Sequence, residues 1–231
     1  MLELQREERR NALNLELCRA IHAAVDDAID SANDGGARAI VITGQGSVFC
    51  SGADLGGVYG PEFLEALYGM LHHLAEVPVP IVAAVNGPAI GAGTQLAIAC
   101  DLRVADETAR FAVPTAKNGM AVDAWTIRTL ALLAGTGRAR RLMLAAELLD
   151  RDEAVTAGLV DRVGTLADAV AWAHEIAALA PLTLAHNKRI LNNTADDAAI
   201  EASFRAVWES EDVREAAAAR AEKRAPEFKG R

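Results

Sequence analysis

Apolar residues fall into two kinds of run along the chain, and the order of those runs predicts the architecture. Ala39-Ile40-Val41-Ile42-Thr43-Gly44 and the fully apolar Ile81-Val82-Ala83-Ala84-Val85 are short and rich in β-branched residues. That pattern suits strands covered on both faces of a sheet. Leu2-Glu3-Leu4-Gln5 alternates and reads as a strand at the start of the chain. Leu102-Arg103-Val104-Ala105 and Phe111-Ala112-Val113 read as two more. Between the strands the spacing is helical. Leu13, Leu17, Ile21, Val25 and Ile29 share one face of a helix reaching about Asp30. Asn11 and Asn14 are its candidate caps, and Asn33-Asp34-Gly35-Gly36 its end. Pro61 opens a helix to about Glu76, and Thr94 to Ala99 reads as a short buried one. After Ala121 the pattern stays helical, over 123–133, 137–147, 151–158, 167–179, 181–193 and 196–221. Strand–helix alternation in the first half predicts right-handed crossovers and a parallel sheet, an α/β class.

The stretch from Val79 to Asp101 organises the rest. Its strand is broken by Asn86-Gly87-Pro88, and Gly91-Ala92-Gly93 then leads into the buried helix. A strand, a glycine turn and a helix start present unpaired backbone N–H groups at the positive end of a dipole. Such a place holds a phosphate, or an oxyanion developing in a reaction. Composition narrows the classes. A net charge of −9 argues against a nucleic-acid surface and against anionic membranes. The longest apolar region carries Pro, Gly, Asn and Gln, which makes it a poor membrane span. No basic segment precedes an apolar one at the N-terminus, so no signal peptide is expected. Cys18, Cys50 and Cys100 form no CxxC pair and read as reduced core residues of a cytoplasmic protein. His22, His72, His73, His174 and His186 show no metal-ligand spacing, and no metal is expected.

Several ordered motifs carry a family resemblance. They are Arg9-Arg10-Asn11-Ala12-Leu13-Asn14, Phe49-Cys50-Ser51-Gly52-Ala53-Asp54-Leu55 and Asn86-Gly87-Pro88-Ala89-Ile90-Gly91-Ala92-Gly93. Ala99-Cys100-Asp101-Leu102-Arg103, Ala157-Gly158-Leu159-Val160-Asp161-Arg162-Val163 and Glu222-Lys223-Arg224 follow. In this order and spacing the chain resembles the crotonase family, the enoyl-CoA hydratase/isomerase proteins. The resemblance implies a ClpP/crotonase-type ββα spiral core over 1–180, with a C-terminal helical region, 181–231, that builds a homotrimer or a dimer of trimers. The first strand of the family's N-terminal hairpin would precede Met1. The backbone N–H groups of Ala53 and Ala92 would form an oxyanion hole for the thioester carbonyl of an acyl-CoA or enoyl-CoA. No separate cofactor is implied, because coenzyme A arrives as part of the ligand. Arg9, Arg10, Ala12, Ser51, Ala53, Asp54 and Leu55 would surround the CoA, and Lys223 would reach the nucleotide of a neighbouring subunit. Asp54 suits fixing its loop better than chemistry, and for Arg9, Arg10 and Lys223 a solvated surface charge is the alternative. Phe63 and Trp125 are candidates for an acyl tunnel or for plain core. A dinucleotide-binding turn is the competing reading of Gly91-Ala92-Gly93, but it lacks the third glycine and a following acid.

The departures from the family pattern bear on activity. Hydratases of the family use two glutamates, and the corresponding positions here are Gln95 and Thr115. An amide cannot act as a general base at neutral pH, and an unactivated hydroxyl is a very poor one. Positioned acid–base groups contribute about 10²–10⁴-fold. The expectation is an acyl-CoA binder or carrier with little or no hydratase activity. The alternative is an active hydratase/isomerase, or another acyl-CoA-transforming enzyme, working through Asp123. Some relatives place a catalytic aspartate there; an N-cap for the helix starting at Ala124 is the other role open to it.

Overall fold

The computed structural model describes residues 1–30, 36–56 and 60–231. Its strands are β1 (Leu2–Leu4), β2 (Ile40–Gly44), β3 (Ile81–Val85), β4 (Pro88–Ile90), β5 (Leu102–Ala105), β6 (Arg110–Ala112), β7 (Leu148–Asp150) and β8 (Arg162–Val163). The α-helices are α1 (Leu15–Asp30), α2 (Pro61–Glu76), α3 (Ala92–Ala99), α4 (Ala124–Leu144), α5 (Arg151–Ala157), α6 (Leu166–Ala177), α7 (Pro181–Leu191), α8 (Asp197–Glu209) and α9 (Glu211–Glu222).

One sheet is parallel throughout, in the order β1-β2-β3-β5-β8. The apolar runs of β2 and β3 are buried at every residue, as two-faced burial requires. On one side lies the main core, where Leu67, Met70, Leu71 and Leu74 of α2 and Leu96 of α3 pack with Ile42, Ala83 and Val85. The other side is covered by α6, whose Ala169, Ala173 and Ile176 meet Val41, Val82 and Val104. A second, smaller sheet runs β4-β6-β7, with β4 and β6 parallel and β6 and β7 antiparallel. Together the two sheets and their crossover helices form the α/β architecture expected of the crotonase type.

Several expectations are revised. The first helix begins at Leu15, and Asn14 caps it by accepting from the Leu17 N–H at 2.8 Å. Asn11 is no cap: it is fully buried and its amide donates to the Gln45 and Val48 carbonyls. Asn33, Asp34 and Gly35, read as the helix end, and Gly57, at the end of the glycine-rich loop, lie outside the described residues. The two helices expected over 123–133 and 137–147 are present as the two halves of α4, which part at Gly135, where φ of 75° and ψ of 150° leave the helical region. The single helix expected over 196–221 is two, because Ser210 is extended between α8 and α9. β4, β7 and β8 have two or three residues each and carry no legible period.

Two of the ordered motifs are structural clasps. Arg103 is buried, donating to the Leu159 carbonyl at 2.6 Å, the Cys100 carbonyl at 2.8 Å and Asp161 at 3.1 Å. It therefore joins the Cys100–Arg103 segment to the Ala157–Val163 segment. Lys188 of α7 is also buried, pairing with Asp101 at 2.7 Å and donating to the Leu74 and Val79 carbonyls. A buried charge of this kind persists only when paired and fully hydrogen-bonded, and this one ties α7 to the core.

Candidate functional site

Two loops meet at the head of α3, and their backbone hydrogen bonds fix each other. The Cys50 N–H donates to the Pro88 carbonyl at 3.1 Å, and the Ile90 N–H returns to the Cys50 carbonyl at 2.9 Å. The Gly91 N–H donates to the Ala112 carbonyl at 2.7 Å. Thr94, fully buried, donates its hydroxyl toward the Ala89 and Ala112 carbonyls and so pins the first turn of α3 to β4 and β6. Glycine is required where the loops touch. A Cβ on Gly93 would lie 2.1 Å from the Cys50 carbonyl oxygen. Gly52 has φ of +102°, and a Cβ there would lie 2.7 Å from the Ile90 carbonyl oxygen and 3.6 Å from the Ala92 nitrogen.

Among the described residues, two N–H groups take no part in these bonds. Leu13 uses both of its backbone groups on the second loop: its N–H donates to the Gly52 carbonyl, and its carbonyl accepts from the Asp54 N–H, each at 2.8 Å. In such a parallel bridge the intervening residue, Ala53, turns its own N–H the other way. Ala92 opens α3, so its N–H has no helical carbonyl to meet. Ala53 and Ala92 line one cavity of about 140 Å³.

The cavity wall is neutral. Gln95 and Thr115 both line it, as do Phe63, Leu67, Tyr68 and Asn118. Gln95 is one helical turn past Ala92, so both face the cavity from one side of α3. It is buried, and its carbonyl oxygen accepts from the Thr126 hydroxyl at 3.2 Å. The amide NH₂ is the end left for a ligand. Among the described lining residues no carboxylate, imidazole, thiol or amine is present; Tyr68 is the titratable group, its phenol pushed up by burial and by the nearby Asp123 charge.

Asp123 stands outside that lining. It is the N-cap of α4: one oxygen accepts from the Thr126 N–H at 3.0 Å and the other lies 2.8 Å from His72 Nε2. Burial pushes its carboxyl up, but the Thr126 and His72 hydrogen bonds outweigh this and hold it below the usual aspartate value. Trp125 likewise lines a different, larger cavity of about 730 Å³ at the C-terminal end of α3, together with Leu132, Leu179 and Leu191. Of the two aromatics read as tunnel candidates, only Phe63 faces the cavity that holds the clamp groups.

The residues expected around CoA divide. Ser51, Ala53 and Leu55 line the cavity. Arg9 and Arg10 are exposed near its entrance, where the Ser51 hydroxyl meets the Arg9 carbonyl and the Ser51 N–H meets the Arg10 carbonyl. Ala12 is buried behind them. Asp54 fixes the loop: the Arg6 guanidinium, 3.2 Å away, and the Gly56 N–H hold its carboxyl below the usual range. Arg6 also donates to the Ala12 carbonyl, and so supports the Ala53 loop from behind. Sequence reasoning missed Arg6, whose partner is 48 residues away. Lys223 is exposed at the end of α9 and does not line the cavity of its own chain. Burial pushes the thiols of Cys18, Cys50 and Cys100 up to about 12, which suits inert core residues.

Comparison with known proteins matches the chain over nearly its whole length. The family model described as enoyl-CoA hydratase/isomerase matches residues 1–231. A probable enoyl-CoA hydratase of Mycobacterium tuberculosis is 51% identical over 237 residues, covering 99% of this chain and 95% of that protein. The 2,3-dehydroadipyl-CoA hydratase of Escherichia coli is 33% identical over 246 residues, covering 100% of this chain and 95% of that one. Among solved structures, an enoyl-CoA hydratase from Bacillus anthracis superposes with a TM-score of 0.88 at 28% identity, covering 99% of this chain and 94% of that one. An enoyl-CoA hydratase/isomerase family protein from Hyphomonas neptunium gives 0.89 at 30% identity, with coverage of 99% and 93%. Sequence and fold agree from the first residue to the last, and the chain belongs to the enoyl-CoA hydratase/isomerase family, the crotonases.

Proposed function

We propose that the chain is an acyl-CoA binder or carrier of acyl-CoA metabolism, with little or no hydratase activity. The thioester oxygen of the ligand lies between the Ala53 and Ala92 N–H groups, where two backbone donors and the head of α3 stabilise partial negative charge. The acyl chain runs along the apolar wall of Phe63, Leu67 and Tyr68. Arg9 and Arg10 meet the CoA phosphates at the entrance, and Lys223 serves a neighbouring subunit.

One observation carries this reading: the cavity that holds the clamp donors has Gln95 and Thr115 in its wall and, among the described residues, no acid–base group near neutrality. Adding water to an enoyl thioester needs one group to take a proton from water and another to deliver one to carbon. Asp123 supplies neither, since it does not line the cavity and its oxygens are engaged, one at the α4 cap and the other by His72. The clamp can polarise a carbonyl, and polarisation without proton transfer favours binding over turnover.

Assembly is part of the same proposal. Leu132, Leu144, Leu191 and Trp208 are large apolar side chains left 64–78% exposed on α4, α7 and α8, as subunit packing in a trimer or a dimer of trimers requires. Light scattering at micromolar concentration reports it, and a one-subunit mass contradicts it.

The clamp is tested by isothermal titration with acyl-CoAs of graded length, wild type against Ala92→Pro. Proline is tolerated at the first helical position but has no N–H. Thioester affinity is expected to fall about 100-fold, in the range for losing one preorganised donor, with the melting transition retained. Equal affinity in the folded variant would sink the placement.

A further inference from the structure

α1 and α2 bring together three metal-ligating side chains that are far apart in sequence. His22 and Asp26 are one turn apart on α1, and His73 faces them from α2. Each oxygen of Asp26 meets one imidazole: Oδ1 lies 2.8 Å from His73 Nε2, and Oδ2 lies 3.7 Å from His22 Nε2. The two rings are stacked, with centroids 3.9 Å apart. Nε2 of His73 is shut off from solvent and, among the described residues, has no aligned hydrogen-bond partner despite the nearby carboxylate. All three donor atoms fall within 4.8 Å of one another.

We propose that His22, Asp26 and His73 bind one divalent transition-metal ion of the zinc class, which fastens α1 to α2. Two neutral imidazoles and one carboxylate are a common nitrogen-and-oxygen donor set for such an ion, with water completing four-coordination. Donors on bonds of about 2.0–2.1 Å around a tetrahedral ion lie about 3.3 Å apart, and the three donor atoms, all within 4.8 Å of one another, need to close by little more than an ångström at most to reach that spacing. Both rings already present Nε2, so the ion needs only a turn of each ring out of the stack, and that terminal torsion is soft. His22 and Asp26 are half-exposed, which gives the ion a path in. Asp30, one turn beyond Asp26, and Glu76, near His73 on α2, add negative charge to the approach. The buried cysteines do not compete, since their thiols stay protonated at neutral pH. The ion would brace the helix whose other end supplies Phe63, Leu67 and Tyr68 to the cavity.

The test uses tag-free full-length protein stripped with EDTA, titrated with ZnCl₂ by calorimetry and with CoCl₂ by visible absorption. The expected result is one equivalent of Zn²⁺, a Zn²⁺-dependent rise in melting temperature, and the intense visible bands of four-coordinate Co²⁺. His22→Gln and His73→Gln are each expected to weaken Zn²⁺ binding by at least ~10-fold, since even outer partners of a metal site are worth about 10–100-fold. Asp26→Asn is a third variant, of unchanged shape, should either histidine variant fold poorly. No saturable binding by the wild type, or binding kept by the folded variants, overturns the proposal.

Discussion

The clamp at the head of α3 and the wall one turn further along ask different things of the sequence. The clamp is made of backbone. Gly52, Gly93 and Thr94 are dictated by the approach of two loops, and the residues proposed to supply its N–H groups are two cavity-lining alanines of no chemical character. The wall is made of side chains, and its polar positions, Gln95 and Thr115, are uncharged. Sterics constrain the first region tightly, because any Cβ at Gly93 strikes a carbonyl oxygen. Only reactivity constrains the second. Under the proposed function, a protein of this fold that lost acid–base chemistry would keep the clamp and vary the wall.

Substitutions separate the two regions by size of effect. Gly93→Ala is expected to cost the most, about 3 kcal/mol or more, because its Cβ would lie 2.1 Å from a backbone oxygen held by the Ile90 N–H. Urea unfolding measures it, and a change under about 1 kcal/mol would show the loops to be looser than described. Thr94→Val should cost about 2 kcal/mol, as the buried hydroxyl shared between the Ala89 and Ala112 carbonyls is lost. Asp123→Ala removes a helix cap worth about 1 kcal/mol. It should leave acyl-CoA affinity unchanged, and a large loss of affinity would move Asp123 into the site. The smallest effect is one of pH. The Asp123 carboxyl is held below its unfolded value of about 3.9, so its contribution is complete at neutral pH and fades as pH falls below about 4. Acid titration of Asp123→Asn should show a shallower loss of stability over that window than the wild type.

Sequence alone revealed most of what burial dictates. β2 and β3 were legible because their runs are β-branched and almost wholly apolar, and α1 and α2 because their apolar faces repeat at helical spacing. β8 was not: Arg162 and Val163 are both exposed, and only pairing with β5 makes them a strand. Ser210 split a run of helix-forming residues for a tertiary reason. Asp212, buried at the start of α9, accepts from the Lys229 and Gly230 N–H groups, folding the C-terminal tail back onto that turn. In the site, Ala53, Ala92, Gln95 and Thr115 came from motif order, and the structure gathers them around one cavity. Arg6 and the trio of His22, Asp26 and His73 were missed, because Arg6 and His73 meet their partners across elements, and the one-turn spacing of His22 and Asp26 on α1 points to no third group.

The comparison rests on what the wall can do. The most direct measurement is the rate of crotonyl-CoA hydration by the wild type beside Gln95→Glu/Thr115→Glu, with thioester affinity followed for both. The account predicts binding without measurable hydration in the wild type. It predicts a gain in the double variant of up to about 10²–10⁴-fold, the usual contribution of positioned acid–base groups. The two new carboxylates would lie against apolar neighbours, so burial should raise their pKa and place their action toward higher pH. Vigorous hydration by the wild type, with the clamp intact and Gln95 and Thr115 in place, would contradict the account.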